Sequence, residues 1–298
     1  MLFLKRFLFS FLFGLVLLSG CDFEHEIIEI LDMIVSEDQS TDVVAPPTSG
    51  EATITFFDVG QGDSTLIRSE NYTVLVDTGR HDSDAIFTHL EKQQIDQIDL
   101  LILTHPHADH IGNADEIVRL YSPEEVWIDG NEATSKTFEN VIDALLDSEA
   151  EVVEPRAGDV YERGDFLFEI VNPTKLTGDL NNDSIAFRLT YGDVRVVMTG
   201  DAEEAAEQEM VASGTDLEAD IFKVAHHGSS TSNQPFFLDE IEPTVAIYSA
   251  GEDNSYGHPH REVTSLLNER GIDIFGTDIH GTVLITTDGH TYSIQTEH

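Results

Sequence analysis

Residues 105–110 hold the side chains of this chain that are best suited to chemistry. Three histidines and one aspartate lie within these six positions. Neutral imidazole and carboxylate are the ligands that suit zinc and its first-row neighbours. In an extended segment, His105 and His107 point to the same side and can share one ion. Asp109 and His110 follow where the chain must turn, so they can reach a second ion nearby.

The apolar run Leu100 to Leu103 directly precedes these residues. It predicts a buried strand whose end delivers the four side chains to one place. The alternative is a surface cluster of histidines without a ligand. We disfavour that interpretation because later motifs in the chain match this one.

The rest of the chain alternates between strand and helix patterns from residue 53 onward, which predicts sheets covered by helices. The predicted strands are 53–59, 64–67, 72–76, 100–103, 126–128, 166–171, 185–190, 194–198, 221–225, 245–248, 272–275, 282–287 and 291–294, and the predicted helices are 83–94, 112–120, 135–146, 202–212 and 261–270.

Other predicted strands also end in acids or histidines. Asp77 follows Val76, Asp201 follows an apolar run through Met198, and His226 and His227 follow a fourth run. Loops at one edge of a rigid sheet are where sites are usually assembled. One such turn is weak support for a site, but four of them together indicate one strongly.

These motifs resemble those of the metallo-β-lactamase superfamily, whose defining motif is His-x-His-x-Asp-His. More narrowly, they resemble the soluble hydrolase domain of ComEC-type bacterial DNA-uptake channels. The matching segments, in family order, are 57–64, Asp77, 105–110, 181–184, 199–201, 223–229 and 257–260. The resemblance implies an α/β fold, a four-layer αββα sandwich with two metals at one edge.

The resemblance also implies roles for single residues. The first metal would be held by His105 and His107, the second by Asp109 and His110, and Asp201 would bridge the two. One of His226 and His227 would complete the second site, and the sequence does not choose between them. Asp77 would orient ligands from behind, or would only cap the turn before Gly79.

One departure from the superfamily concerns the first metal, which in many members receives a third histidine. Here residues 111–200 contain no histidine, and the loop from Asn181 to Ser184 stands in the corresponding place. The first metal is then expected to be weakly held, or completed by water or substrate. Zinc is favoured by the imidazoles, while manganese is also permitted.

Two bound ions can supply a shared, metal-bound hydroxide, so no serine nucleophile is needed. Ser229 is expected in a turn or as a phosphate contact. Besides Asp109, the expected catalytic residues are His258 and His260, as proton donors or substrate contacts, with ordinary exposed histidines as the alternative. The segment Gln61 to Asp63 would place backbone donors close to the site, and Lys223 is expected to be structural.

The charge of the chain argues against tight binding of a polyanion. It has 15 Lys and Arg against 57 Asp and Glu, a formal net charge of −42 at pH 7. Nucleic-acid binding normally needs clustered basic residues, and here they are scattered. An anionic substrate must therefore be held by metal and by local donors.

Residues 1–20 resemble the signal peptide of a bacterial lipoprotein, with Lys5 and Arg6 before an apolar stretch and Cys21 after it. The resemblance implies cleavage before Cys21, lipidation of this single cysteine and an extracytoplasmic location on the cell membrane. A simple anchor helix is the alternative. Residues 21–52 are rich in Ser, Thr, Asp and Pro in their second half and are expected to form a flexible tether.

The hydrolase domain is thus expected over residues 53–298. The resemblance implies a metal-dependent phosphodiesterase or DNA nuclease related to competence and DNA uptake. Two alternatives stay open: an envelope esterase for a phosphorylcholine-type ester or a lactone, and a non-catalytic, metal-bound binding lipoprotein. The sequence gives neither the oligomeric state nor the partner.

Overall fold

A computed structural model describes residues 46–298. The predicted signal peptide, the lipidation site Cys21 and nearly all of the predicted tether lie outside the described residues and stay predictions. The first strand begins at Ala52, which is fully buried, one residue earlier than the predicted strand. Among residues 46–298, none of the helices has the length and apolar character needed to cross a membrane.

The described part of the chain contains fifteen strands and seven α-helices. The strands are β1 (Ala52–Phe56), β2 (Thr65–Arg68), β3 (Thr73–Val76), β4 (Leu100–Leu103), β5 (Glu125–Ile128), β6 (Glu151–Val153), β7 (Val160–Arg163), β8 (Phe166–Asn172), β9 (Ala186–Tyr191), β10 (Val194–Met198), β11 (Ile221–Lys223), β12 (Val245–Tyr248), β13 (Asp273–Gly276), β14 (Val283–Thr287) and β15 (Tyr292–Thr296). The helices are α1 (Ala85–Lys92), α2 (Ala114–Tyr121), α3 (Lys136–Leu146), α4 (Glu204–Ala212), α5 (Pro235–Ile241), α6 (Arg261–Glu269) and α7 (Thr277–His280).

The strands form two mixed sheets. The first has the order β15-β14-β1-β2-β3-β4-β5-β6, and the second has the order β13-β12-β11-β10-β9-β8-β7. The segment from β3 to β6 is parallel, as is the segment from β10 to β13. Parallel neighbours need crossover connections, which the helices supply.

The buried apolar residues form three clusters, which define four layers. One cluster lies between the sheets and contains side chains from both, such as Phe56 and Phe187. A second covers the outer face of the first sheet with α1, α2 and α3. A third covers the outer face of the second sheet with α4, α5 and α6. The predicted αββα sandwich is therefore confirmed.

Four elements were not expected from the sequence: β6, β7, α5 and α7. The strands β6 and β7 lie at sheet edges and expose apolar side chains, with Val152 44% and Val160 61% exposed. Apolar and polar residues therefore do not alternate clearly in these two strands. Helix α5 has only seven residues, and its Pro235 at the first position resembles a loop signal although it is compatible with a helix start.

We predict that Phe168→Ala destabilises the domain by about 3–5 kcal/mol. Phe168 is fully buried between the sheets, with ring centroids 5.3 Å from Trp127 and 5.4 Å from Phe187. Urea unfolding followed by circular dichroism measures the change. Val160→Ala, at an exposed edge position, serves as control and is expected to change stability by less than about 0.5 kcal/mol. Equal stability of the two variants would contradict the assigned core.

Candidate metal centre

The candidate site lies where the carboxyl ends of four strands meet. β3 and β4 are parallel neighbours in the first sheet, and β10 and β11 are parallel neighbours in the second. The carboxyl ends of parallel strands share one edge, where the following loops come together. These loops carry the predicted acids and histidines, so each sheet contributes part of the site.

Asp201 lies at the middle of this site, with its side chain only 3% exposed. Its Oδ1 lies 3.2 Å from Nε2 of His110, and its Oδ2 lies 3.6 Å from Nε2 of His105. The backbone N–H of Asp201 donates to Oγ of Ser184 at 3.2 Å, which fixes the loop. The two carboxylate oxygens thus face two different groups of imidazoles, the arrangement that a bridging ligand requires.

The first group consists of His105, His107 and Asp201, whose ligand atoms all lie within 4.8 Å of one another. Nε2 of His105 and Nδ1 of His107 face each other at 3.0 Å. Nε2 of His226 lies 3.6 Å from Oδ2 of Asp201, on the side of this group.

The second group consists of His110, His227, Asp201 and Asp63, again with ligand atoms within 4.8 Å. Oδ2 of Asp109 lies 3.5 Å from Nε2 of His227. The ring of His227 is oriented from behind, because its Nδ1–H donates to the carbonyl of Ser249 at 3.0 Å. This bond leaves Nε2 free to bind an ion.

The two adjacent histidines, between which the sequence does not choose, point in different directions because of the backbone. Both His226 and His227 adopt left-handed φ angles of 51° and 54°, so their side chains diverge. His227 is buried and turns toward Asp109 and His110. His226 turns instead toward Asp201 and Glu203, whose Oε1 lies 3.5 Å from its Nδ1.

An observation that does not depend on the sequence motif also indicates that these donors suit divalent ions. Within residues 46–298, three buried atoms that face one another have no hydrogen-bond partner: Nε2 of His110, Nε2 of His227 and Oδ1 of Asp201. Buried polar atoms are normally paired, because leaving them bare costs free energy. A cation between them would satisfy all three, and mixed imidazole and carboxylate donors suit zinc or manganese.

Asp77 supports the second group from behind. Its Oδ2 accepts from Nδ1 of His110 at 2.8 Å and from Oγ1 of Thr104 at 2.7 Å, and its Oδ1 accepts from the backbone N–H of Thr104 at 2.9 Å. These bonds leave Nε2 of His110 as the free ligand atom. The side chain of Asp77 therefore does more than end the turn before Gly79.

Asp63 is paired with Lys223, whose Nζ lies 2.7 Å from Oδ1 and 3.0 Å from Oδ2. Both side chains are buried, and Nδ1 of His227 lies 3.9 Å from Asp63. Lys223 therefore neutralises a carboxylate that lies directly beside the candidate ligands, in line with its expected structural role.

The remaining predicted residues line the rim or the supporting loops. Oε1 of Gln61 accepts from the backbone N–H of Gly251 at 3.1 Å. Nδ2 of Asn181 lies 3.4 Å from Oε1 of Glu203. Ser229 is buried, and its Oγ bonds to Thr231 at 2.9 Å, which agrees with a role in the turn.

His258 and His260 lie on one loop, with ring centroids 4.8 Å apart. Nδ1 of His260 accepts from the backbone N–H of Ser230 at 2.9 Å, so the neutral ring carries its proton on Nε2. The ring of His258 lies 5.6 Å from that of His226 and 6.1 Å from that of His227. His258 thus lies directly beside the candidate ligands.

Charges in the site are strongly coupled. Burial opposes the ionisation of Asp201, yet the charges of His110 and His105 hold the pKa of its carboxyl group well below the usual range. Burial likewise opposes the charge of His110, but Asp201 and Asp77 hold its pKa well above the usual range. Burial, with the charges of His227 and His226, lowers the pKa of His258 to about 4.

A buried clamp behind the His-His turn was not predicted from the sequence. Oδ1 of Asn233 accepts from the N–H of Ala225 at 2.9 Å, and its Nδ2 donates to the carbonyls of Ala225 and Ser229 at 3.1 and 3.0 Å. The backbone N–H of Asn233 donates to Glu207, which is itself buried, and burial raises the pKa of Glu207 to about 7. No local pattern links a helix acid to an asparagine 26 positions away.

Comparison with known proteins agrees with this geometry. Residues 57–252 match the family model of the metallo-beta-lactamase superfamily. ComE operon protein 3 of Bacillus subtilis is 32% identical over 260 residues, which cover 80% of this chain and 34% of that protein. Competence protein ComA of Neisseria gonorrhoeae is 29% identical over 235 residues, covering 78% of this chain and 32% of that protein. The chain thus spans about a third of the length of these relatives.

Solved structures show the same fold at low identity. A metallo hydrolase from the archaeon Ignicoccus hospitalis has a TM-score of 0.55 at 14% identity, covering 78% of this chain and 98% of that one. CmlA, a diiron β-hydroxylase from Streptomyces venezuelae, has a TM-score of 0.56 at 17% identity, covering 81% of this chain and 55% of that one. Both likenesses concern the fold alone.

We predict that Asp201→Asn lowers the affinity for divalent ions at least about tenfold, because both groups lose a charged donor atom. Isothermal titration calorimetry with Zn²⁺ and Mn²⁺ on the chelator-treated protein measures the change. Asp193→Asn is the matched control, since Asp193 is 78% exposed and forms a surface ion pair with His290. Unchanged ion binding in Asp201→Asn would contradict the assignment.

We also predict that Lys223→Met destabilises the domain by about 3–5 kcal/mol, because it leaves the buried carboxylate of Asp63 without its partner. The double variant Asp63→Asn with Lys223→Met removes both charges and is expected to recover most of that loss. Urea unfolding measures both. Lys136→Met, which breaks an exposed ion pair with Glu139, is the control and is expected to change stability by at most about 1 kcal/mol. If the loss of stability in the double variant equalled the sum of the losses in Asp63→Asn and Lys223→Met alone, that would count against an interaction between the two side chains.

Proposed function

Because this chain belongs to the metallo-beta-lactamase superfamily, we propose that it is a metal-dependent hydrolase that cleaves phosphodiester bonds. The observation that carries the proposal is the pair of donor groups sharing Asp201 at one sheet edge. Two ions held in this way suit the in-line displacement of a phosphodiester, where both the attacking and the leaving oxygen need stabilisation.

The residues present would hold two divalent ions. His105 and His107 would hold one, Asp109, His110 and His227 the other, and Asp201 both. When bound, such ions lower the pKa of water toward neutrality and polarise phosphoryl oxygens.

The protein's own contribution is to orient these groups. Asp77 and the carbonyl of Ser249 each hold one ring nitrogen, so the opposite nitrogen faces inward. Buried ligands with fixed tautomers need no rearrangement when they bind an ion or a substrate, which is the general advantage of preorganised polar groups. The left-handed turn at residues 226–227, clamped by Asn233, keeps the two histidines apart.

The rim histidines suit contact with the substrate. With its pKa lowered to about 4, His258 is neutral at pH 7. In the free protein it therefore offers hydrogen bonding rather than a positive charge. His260 carries its proton on Nε2 and is placed as the second candidate donor to a leaving oxygen or a phosphoryl oxygen.

The curated relatives named above are a ComE operon protein and a competence protein, which supports a nucleic-acid phosphodiester over other esters. The scattered basic residues and the net charge of −42 oppose tight binding of a long polyanion. We therefore propose that catalysis on DNA takes place with weak binding of the strand. A role in DNA uptake and the lipid anchor at Cys21 stay predictions.

Hydrolysis of bis(p-nitrophenyl) phosphate and of single-stranded DNA by the full chain, with Zn²⁺ or Mn²⁺ added, tests the proposal. We expect metal-dependent cleavage that chelation abolishes and that Asp201→Asn and His227→Ala reduce at least about 100-fold. Asp193→Asn is expected to keep full activity.

Two outcomes would contradict the proposal. Rapid hydrolysis of a phosphorylcholine ester or a lactone, without phosphodiester cleavage, would favour the envelope esterase. Tight metal binding without hydrolysis of any of these substrates would favour the non-catalytic binding protein.

A further inference from the structure

We propose that Tyr256 is a stacking platform for a nucleobase of the substrate at the mouth of the metal centre. This inference rests on the proposed function, since it takes the phosphodiester substrate to contain a nucleoside. Tyr256 is 59% exposed, and among the exposed large apolar residues of the range 46–298 it alone is aromatic. The exposed ring lies beside His258 at the candidate metal centre, so its face is open to a substrate there.

The loop that carries Tyr256 is held in place by Asn254. Oδ1 of Asn254 accepts from the backbone N–H groups of Tyr256 at 3.2 Å and His258 at 3.0 Å. Its Nδ2 donates to the carbonyls of Gly251 at 2.9 Å and His258 at 2.6 Å. One side chain thus makes four bonds within the loop, so the tyrosine is presented in a defined position.

Both ends of this loop are tied to the site. At one end, Gln61 accepts from the N–H of Gly251. At the other end, the N–H of His260 donates to the carbonyl of Gly228 at 2.9 Å, immediately after the His-His turn. The position of Tyr256 is therefore set relative to the candidate ligands.

The ring of Tyr256 begins a ladder of rings that leads inward. It lies nearly parallel to the ring of His258, with an angle of 20° and centroids 5.7 Å apart. The ring of His258 in turn lies at 25° to that of His227, with centroids 6.1 Å apart. A base placed on the outer face of Tyr256 would continue this ladder, and the rest of its nucleotide could extend along it toward the centre.

Charge explains why stacking is the contact that this surface can offer. The guanidinium of Arg80, which lies near Tyr256 and Asp109, is already engaged by Asp82 at 2.8 and 2.7 Å. With a net charge of −42, the chain provides little attraction for phosphates. Stacking on an aromatic ring does not need charge and tolerates any base.

Calorimetric titration of the Mn²⁺-loaded protein with two matched ligands tests the proposal. Thymidine 5′-monophosphate carries a base, and 2-deoxyribose 5-phosphate lacks it. We expect the wild-type chain to bind the nucleotide about 5- to 100-fold more tightly, the range that base stacking supports. Tyr256→Ala and Tyr256→Leu are expected to lose this preference, while Tyr256→Phe and Tyr256→Trp keep it.

Tyr256→Leu separates stacking from simple apolar contact, and Leu146→Ala, at a residue 79% exposed on α3, controls for loss of exposed apolar surface. Equal affinity of the wild-type chain for the two ligands, or a preference that persists in Tyr256→Ala, would overturn the platform. Hydrolysis of bis(p-nitrophenyl) phosphate is measured in parallel. A base preference that depends on Tyr256 but comes without hydrolysis would support the platform and overturn the proposed function.

Discussion

The buried carboxylate of Asp201 faces imidazoles on both sides, and the surrounding structure is arranged around that contact. A carboxylate in so dry a place is costly unless charges and donors compensate it. Here His105 and His110 supply the compensation, and they can do so because strand ends of both sheets lie at one edge of the sandwich. The order of strands, with β3 and β4 in one sheet and β10 and β11 in the other, brings these side chains together.

A second layer of groups fixes the first. Asp77 holds His110, the carbonyl of Ser249 holds His227, and Lys223 neutralises Asp63. Each of these partners is buried, so each has few alternatives for its own hydrogen bonds. The centre is therefore rigid because the atoms behind it are satisfied only in this arrangement.

Much of this site could be predicted from the sequence, because its residues follow short apolar runs that are typical of buried strands. The motif at 105–110, Asp77 and Asp201 all stand at strand ends, and the αββα sandwich followed from the resemblance. The opposite directions of His226 and His227 could not be predicted, since they depend on two successive left-handed residues. The clamp between Asn233 and Glu207 could not be predicted either, because it joins a loop and a helix that are distant in the sequence.

The split origin of the ligands has a mechanical consequence. His105, His107, Asp109 and His110 come from the loop after β4, whereas Asp201 and His227 come from loops of the opposite sheet. Any cation held by ligands from both sheets would link the two sheets at the open edge of the sandwich. Separation of the two halves there would require release of the ion, so the free energy of ion binding would add to the cohesion of the two sheets.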